Sequence, residues 1–290
     1  MTRESIIPRP RRLEPAPSLR WGVIGPGSTA GRFVDALRAH GTQQVVAVGS
    51  RAAERAASFA ARHGIAGTAG SVAQILDLAE VDVVYIATPH DSHRELAERA
   101  LNAGKHIVVE KPLATTEADA RAITSLARDR GLFAMEAMWT RYLPQAEVLR
   151  QLLDEHVIGE VTYVCADFGF VAPYDPQHRL FNPALAGGAL LDAGVYPVSF
   201  IASVLGPPAQ VIASGTLAAT GVDDHAQLTA VRHRDRGGDD VTPVGPAGPR
   251  RRRRNRRSHR DRTAVHPAEL VDALGQGHVG TRSGRRPVDR

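Results

Sequence analysis

Lys111 follows the apolar run His106-Ile107-Val108-Val109-Glu110 and precedes Pro112, so an ammonium stands where a buried strand ends. In open parallel sheets that end is where ligands sit, which makes Lys111 the first catalytic candidate, with Glu110 beside it. Far upstream, Gly25-Pro26-Gly27-Ser28-Thr29-Ala30 has the G-x-G-x-x-A spacing. Placed between a strand and a helix, that turn lets backbone amides approach a pyrophosphate. Gly25, Gly27, Ser28, Thr29 and Ala30 are therefore candidate cofactor contacts. An ordinary strand-to-helix turn is the alternative, and the surrounding elements favour the dinucleotide.

The next strand ends in Ser50-Arg51, with Arg55 one helical turn later. An NAD site usually places a carboxylate there to hold the ribose hydroxyls, whereas a guanidinium suits a 2′-phosphate, so NADP is expected over NAD. The alternative is a solvated pair of arginines at a helix start. A third strand end carries Thr88-Pro89-His90-Asp91-Ser92-His93. Pro89 stops the strand and Ser92 is suited to cap the next helix. Thr88, His90 and His93 are candidates to border a nicotinamide ribose, with a capping or exposed role the alternative for each histidine. No cysteine or acidic partner has a ligand-set spacing, so no metal is expected.

These residues need a scaffold, and residues 19–159 supply alternating strand and helix patterns. Strands are expected over 20–25, 45–50, 65–68, 81–87, 106–109 and 132–136. Helices are expected over 31–40, 52–63, 72–78, 96–103 and 117–130. The 81–87 run is β-branched and continuous, as in a strand buried on both faces. Repeated strand-helix units with short connections imply a parallel, doubly wound sheet with right-handed crossovers. Beyond Arg141 the rhythm changes to a helix over 146–153, a strand over 161–170, a helix over 189–205 interrupted near Pro197, and strands over 209–218 and 226–232, the start of an α+β domain.

The chain has 290 residues, enough for two domains, and its formal net charge is +5. Residues 1–230 hold 20 Lys+Arg and 24 Asp+Glu, a balance of −4; residues 231–290 hold 16 Arg and 7 acids, a balance of +9. The basicity thus belongs to the tail, which weakens a nucleic-acid reading of the whole. No uninterrupted apolar run reaches the roughly eighteen residues of a membrane span. The first 18 residues lack an apolar signal core and read as a disordered lead. The lone Cys165 reads as a buried structural thiol, and a cytoplasmic location follows.

The combination of GPGSTA, ATPHDSH, VVEKPLA and AGGALLDAGVYPV resembles the glucose-fructose oxidoreductase/inositol dehydrogenase/MocA (Gfo/Idh/MocA) family of NAD(P)-dependent oxidoreductases. EAMWTRYLP and Ser50-Arg51 are similar to the branch that contains dimeric dihydrodiol dehydrogenase. The resemblance spans about residues 19–230. It implies a Rossmann dinucleotide-binding domain over 19–140 and an incomplete α+β substrate and oligomerisation domain over 141–232. It also implies hydride transfer between nicotinamide and a carbinol or carbonyl carbon of a sugar, polyol or cyclic diol, with a homodimer as the family's usual assembly. By this resemblance Lys111 is the active-site lysine, and Asp192 and Tyr196 take the family's aspartate and proton-transfer positions. Residues four apart share a helix face, so both can meet one pocket. Gly187 and Gly188 would let the helix start approach the substrate. Trp139 would wall the pocket, Arg141 contact cofactor or substrate, and Phe168 line the pocket or the core.

The departure from the family begins near Arg232, where Pro, Gly and Arg dominate over 233–290 and only 264–274 has helical spacing. A basic arm, with Arg250 to Arg254 as its centre, is one reading of this tail, and the product of a shifted reading frame is the favoured one. A sheet cut short there would expose apolar strand faces, so aggregation or loss of the dimer is expected. A nonenzymatic NAD(P)-binding regulator, or an inactive member, remains the alternative to the enzyme.

Overall fold

The computed structural model describes residues 16–231. The expected tail helix over 264–274, the basic run and residues 1–15 of the expected lead lie outside the described residues; at the end of that lead the Pro17 carbonyl accepts from Gln43 Nε2 at 2.9 Å and the Ser18 hydroxyl donates to the Thr42 carbonyl at 2.6 Å. Six strands form one parallel sheet: β1 (Arg20–Ile24), β2 (Gln44–Gly49), β3 (Thr68–Gly70), β4 (Val83–Ile86), β5 (His106–Glu110) and β6 (Ala134–Ala137). Their order, β3-β2-β1-β4-β5-β6, reverses between β1 and β4. That reversal opens a crevice at the carboxyl ends of the strands.

Helices α1 (Ser28–His40), α2 (Ala53–Arg62), α3 (Val72–Asp77), α4 (His93–Asn102) and α5 (Glu117–Asp129) join the strands. One apolar layer gathers Ile24, Ile75, Val84, Ile86, Leu101, Ile107 and Ile123, and the other gathers Val23, Val34, Val48, Phe59, Tyr85 and Val108. Successive residues of a strand point to opposite faces, so Val83-Val84-Tyr85-Ile86, buried throughout, feeds both layers. Residue 65 falls before β3, which starts only at Thr68, where backbone pairing to Ala47 begins.

After β6 comes a short 3₁₀ turn (Trp139–Tyr142) and then α6 (Pro144–Asp154), with Pro144 in its first turn, where a missing N–H costs nothing. The expected strand over 161–170 does not form: these residues are extended, unpaired chain among the described residues. An alternating pattern becomes a strand only when a neighbour accepts its hydrogen bonds. Cys165 is consequently exposed, not buried as expected.

The helical stretch Pro183–Leu205 consists of a 3₁₀ turn (Pro183–Leu185), a π turn (Leu190–Gly194) and α7 (Val195–Leu205). The interruption expected at Pro197 falls earlier, because Pro197 lies in the first turn of α7. Its 23 residues have a mean hydropathy of 1.5, long and apolar enough to cross a membrane by length and composition, which a count of uninterrupted apolar residues overlooks. Asp192 in this stretch is nevertheless paired with the Rossmann sheet. Strands β7 (Gln210–Leu217) and β8 (Asp223–Val231) form an antiparallel hairpin.

Candidate active site

The glycine turn is built for its position. Gly25 has φ +92°, and a Cβ there would lie 2.7 Å from the Ala87 backbone, so the crossing of the β1 and β4 ends requires glycine. Gly27 precedes α1 and makes no side-chain cap, and no carboxylate sits in the first helical turn. The amides of Ser28, Thr29 and Ala30 thus face outward as donors at a positive helix end. Nothing lies within 4 Å of a Cβ built on Gly27. A side chain would occupy the space an entering phosphate needs, so the turn fits a dinucleotide. Helix α1 begins at Ser28, three residues before its apolar spacing becomes regular.

At the end of β2, Ser50 is buried and its hydroxyl accepts from the Ala52 amide at 3.3 Å. Arg51 and Arg55 are exposed and without a bonded partner among the described residues, so both guanidinia are available at the mouth of the crevice.

The β4 end is more constrained than its sequence indicates. Ser92 does not cap α4; its hydroxyl donates to Thr88 Oγ1 (2.8 Å) or to the Pro89 carbonyl (2.9 Å) across a 3₁₀ turn, His90–Ser92. His93 is fully buried, with Nδ1 2.8 Å from the Pro112 carbonyl and Nε2 3.0 Å from that of Thr88. It ties the β4 and β5 ends together and is neither a cap nor an exposed ring. His90 sits with Nδ1 3.2 Å from Ala186 O and Nε2 4.0 Å from Asp192 Oδ1. Burial drives its pKa below the ordinary histidine value, outweighing the Ala186 contact and the Asp192 charge, which pull it upward.

Lys111 is held from both ends. Its amide donates to Glu110 Oε2 at 3.2 Å, and Glu110 Oε1 in turn accepts the Tyr85 hydroxyl. Glu110 is thus spent on the sheet, and Tyr85, buried beside that carboxylate, is pushed well above an ordinary phenol. The Lys111 Nζ donates to the Asp192 backbone carbonyl and lies 3.1 Å from Asp192 Oδ1 and 4.9 Å from the Tyr196 ring centroid. Tyr196 Oη accepts the Trp139 Nε1 hydrogen at 3.1 Å, and Phe168 meets the Tyr196 ring edge-on, centroids 5.3 Å apart. Lys111, Asp192, Tyr196, Trp139 and Phe168 therefore converge. Among the described residues, no bond joins Arg141 to this cluster; its carbonyl accepts from Arg150.

One functional residue escaped the sequence. Arg179, on an aperiodic loop, places Nη1 2.9 Å from Asp192 Oδ1. Burial raises the Asp192 pKa, but the Arg179 hydrogen bond and the Lys111 charge more than offset this, and the carboxyl ends below its usual range. Gly187 and Gly188, expected to ease a substrate approach, make room for the chain itself. A Cβ on Gly187 would lie 2.7 Å from the Arg179 and Leu180 carbonyls, and one on Gly188 (φ +126°) 2.2 Å from Asp223 Oδ1.

The model of the oxidoreductase family with an NAD-binding Rossmann fold matches residues 19–138, and that of the GFO/IDH/MocA C-terminal domain matches residues 147–234. The chain belongs to the Gfo/Idh/MocA family. Among its Gfo/Idh/MocA relatives, bovine (Bos taurus) trans-1,2-dihydrobenzene-1,2-diol dehydrogenase is 39% identical over 211 residues, 71% of this chain and 62% of that protein. The chain thus spans less than two thirds of that relative's length. A 3-ketoreductase from Actinomadura kijaniata, solved with NADP and TDP-benzene, is 33% identical with a TM-score of 0.61, covering 74% of this chain and 67% of its own. Aldose-aldose oxidoreductase from Caulobacter crescentus, solved with glycerol, is 28% identical with a TM-score of 0.67, covering 73% and 67%.

Proposed function

We propose that this chain is an NADP-dependent oxidoreductase that interconverts a carbinol and a carbonyl in a sugar, polyol or cyclic diol. The observation that carries the reading is the convergence of Lys111, Asp192 and Tyr196 at the carboxyl end of β5, beside the crevice where the sheet order reverses. The diol and sugar chemistry named for the relatives supports the substrate class.

The bound nicotinamide would supply the hydride acceptor or donor. The α1 amino terminus would hold its pyrophosphate, and Arg51 with Arg55 the 2′-phosphate of the ribose. Tyr196 would take the hydroxyl proton as the carbon–hydrogen bond gives up its hydride, and return it in the reverse direction. The Lys111 ammonium would favour the ionised phenol and an oxygen gaining negative charge. Asp192 fixes that ammonium, and Trp139, donating to Tyr196 Oη, sets the direction in which the hydroxyl faces the pocket. The Cys165 thiol, in no disulfide, fits a reducing cytoplasm, and residues 141–232 would serve as the substrate-binding domain.

The test is NADPH and NADH titration by fluorescence, followed by NADP reduction with a panel of diols, sugars and polyols. Lys111→Ala is expected to lose roughly 10²–10⁴ in kcat at unchanged NADPH affinity. Unaltered turnover in that variant would sink the assignment, and tighter binding of NADH than NADPH would overturn the cofactor choice.

A further inference from the structure

We propose that Arg179 is a positioning residue of this centre, sharing the Asp192 carboxylate with Lys111 so that neither cation is fully neutralised by it. The proposal deepens the hydride-transfer reading and rests on it.

A single oxygen, Asp192 Oδ1, receives both cations, Arg179 Nη1 at 2.9 Å and Lys111 Nζ at 3.1 Å. The Asp192 side chain is only 9% exposed, while that of Arg179 is 47% exposed, so the guanidinium reaches inward from the surface to a buried acceptor. A chance surface pair looks different: Arg121 and Glu117 on α5 are both 76% exposed. Backbone contacts fix the loop carrying Arg179. The Gly188 amide donates to Leu180 O at 2.9 Å, the Gly187 amide donates to Asn182 O at 3.1 Å, and Gly187 leaves room for the Arg179 carbonyl.

The other charged or titratable groups around the cluster are engaged with partners other than the Lys111 ammonium and the Arg179 guanidinium. His90, on the turn after β4, has its pKa lowered by burial, which favours the uncharged ring. His93 of α4 lies behind it with both nitrogens against carbonyls. Glu110 of β5 accepts the Tyr85 hydroxyl, and Asp223 of β8 accepts the Leu190 amide at 2.6 Å. Tyr196 of α7, with the Lys111 ammonium over its ring, is the group that gains most from uncancelled positive charge. Without Arg179, Asp192 would belong to Lys111 alone, the ammonium would hold its proton more firmly, and the phenol would ionise less readily.

The test measures acetylation of Lys111 by acetic anhydride against pH in the full chain, read by mass spectrometry. Arg179→Gln is expected to raise the labelling midpoint by about one pH unit, and Arg179→Lys to restore it. Asp192→Asn should lower the midpoint. An unmoved midpoint in a folded Arg179→Gln, alongside a shift in Asp192→Asn, would overturn the proposal. If Arg179→Gln loses the wild-type circular dichroism, Arg179→Met keeps the apolar stem and must show the same rise, failing which the proposal falls. In the oxidation direction, the acid limb of kcat/KM should also move up by about one unit in Arg179→Gln, whereas a merely structural arginine would lower the rate evenly at every pH. A midpoint shift in Arg179→Gln, in a protein whose wild type transfers no hydride, would overturn the enzymatic reading while supporting the role of Arg179.

Discussion

Strands β4 and β7 each carry four apolar residues, yet every residue of β4 is buried and every residue of β7 is exposed. The difference lies in neighbours. Between β1 and β5, and between two helical layers, β4 converts its side chains into core. Beyond β8, β7 has no strand beside it among the described residues, and neither face of β7 is covered. Pairing gives a strand its shape, whereas layers give it its stability.

The sharpest way to break that contrast is by truncation. Ile107→Ala, at a fully buried position of β5, is expected to cost about 3 kcal/mol in urea unfolding. Val211→Ala, half exposed on β7, should cost under about 0.5 kcal/mol. Equal costs would show that the hairpin is as well packed as the sheet.

A smaller effect tests the seam between the regions, where His90 and Asp192 meet. The His90 pKa is lowered on folding, so its contribution is complete above the unfolded value of 6.5 and is lost as pH falls through the lower folded value. Asp192 is lowered too, and its contribution disappears only below 3.8. Urea midpoints measured from pH 8 to pH 5 should therefore fall with acid in wild type and fall less in His90→Gln. A steeper fall in that variant would place the acid sensitivity elsewhere. The smallest effect belongs to the sheet's outer surface: Arg121→Ala, breaking an exposed α5 pair, should change stability by about 0.3 kcal/mol and vanish at high salt.

The parallel sheet was legible because burial on both faces leaves continuous apolar runs, as in 81–87, and because glycine punctuates the first turn. The same reasoning failed at 161–170, where alternation was present but pairing partners were not. Lys111, Asp192 and Tyr196 were visible through short motifs of characteristic order. Arg179 was not, because a loop has no period and its partner lies 13 residues away along the chain. His93 misled because a polar residue beside a strand end resembles a ligand contact until both its nitrogens are seen to face carbonyls.

The bond from Tyr85 to Glu110 carries a wider implication. It fastens the root of Lys111 to the floor of the sheet, where Tyr85 stacks on Phe33 at 3.9 Å, while the groups that touch the lysine's tip come from the π turn and α7, outside that floor. An amine mounted this way can keep its address while its company changes. New substrates could be accommodated by exchanging Trp139, Phe168 or Arg179, with no need to rebuild the foundation on which the reaction stands.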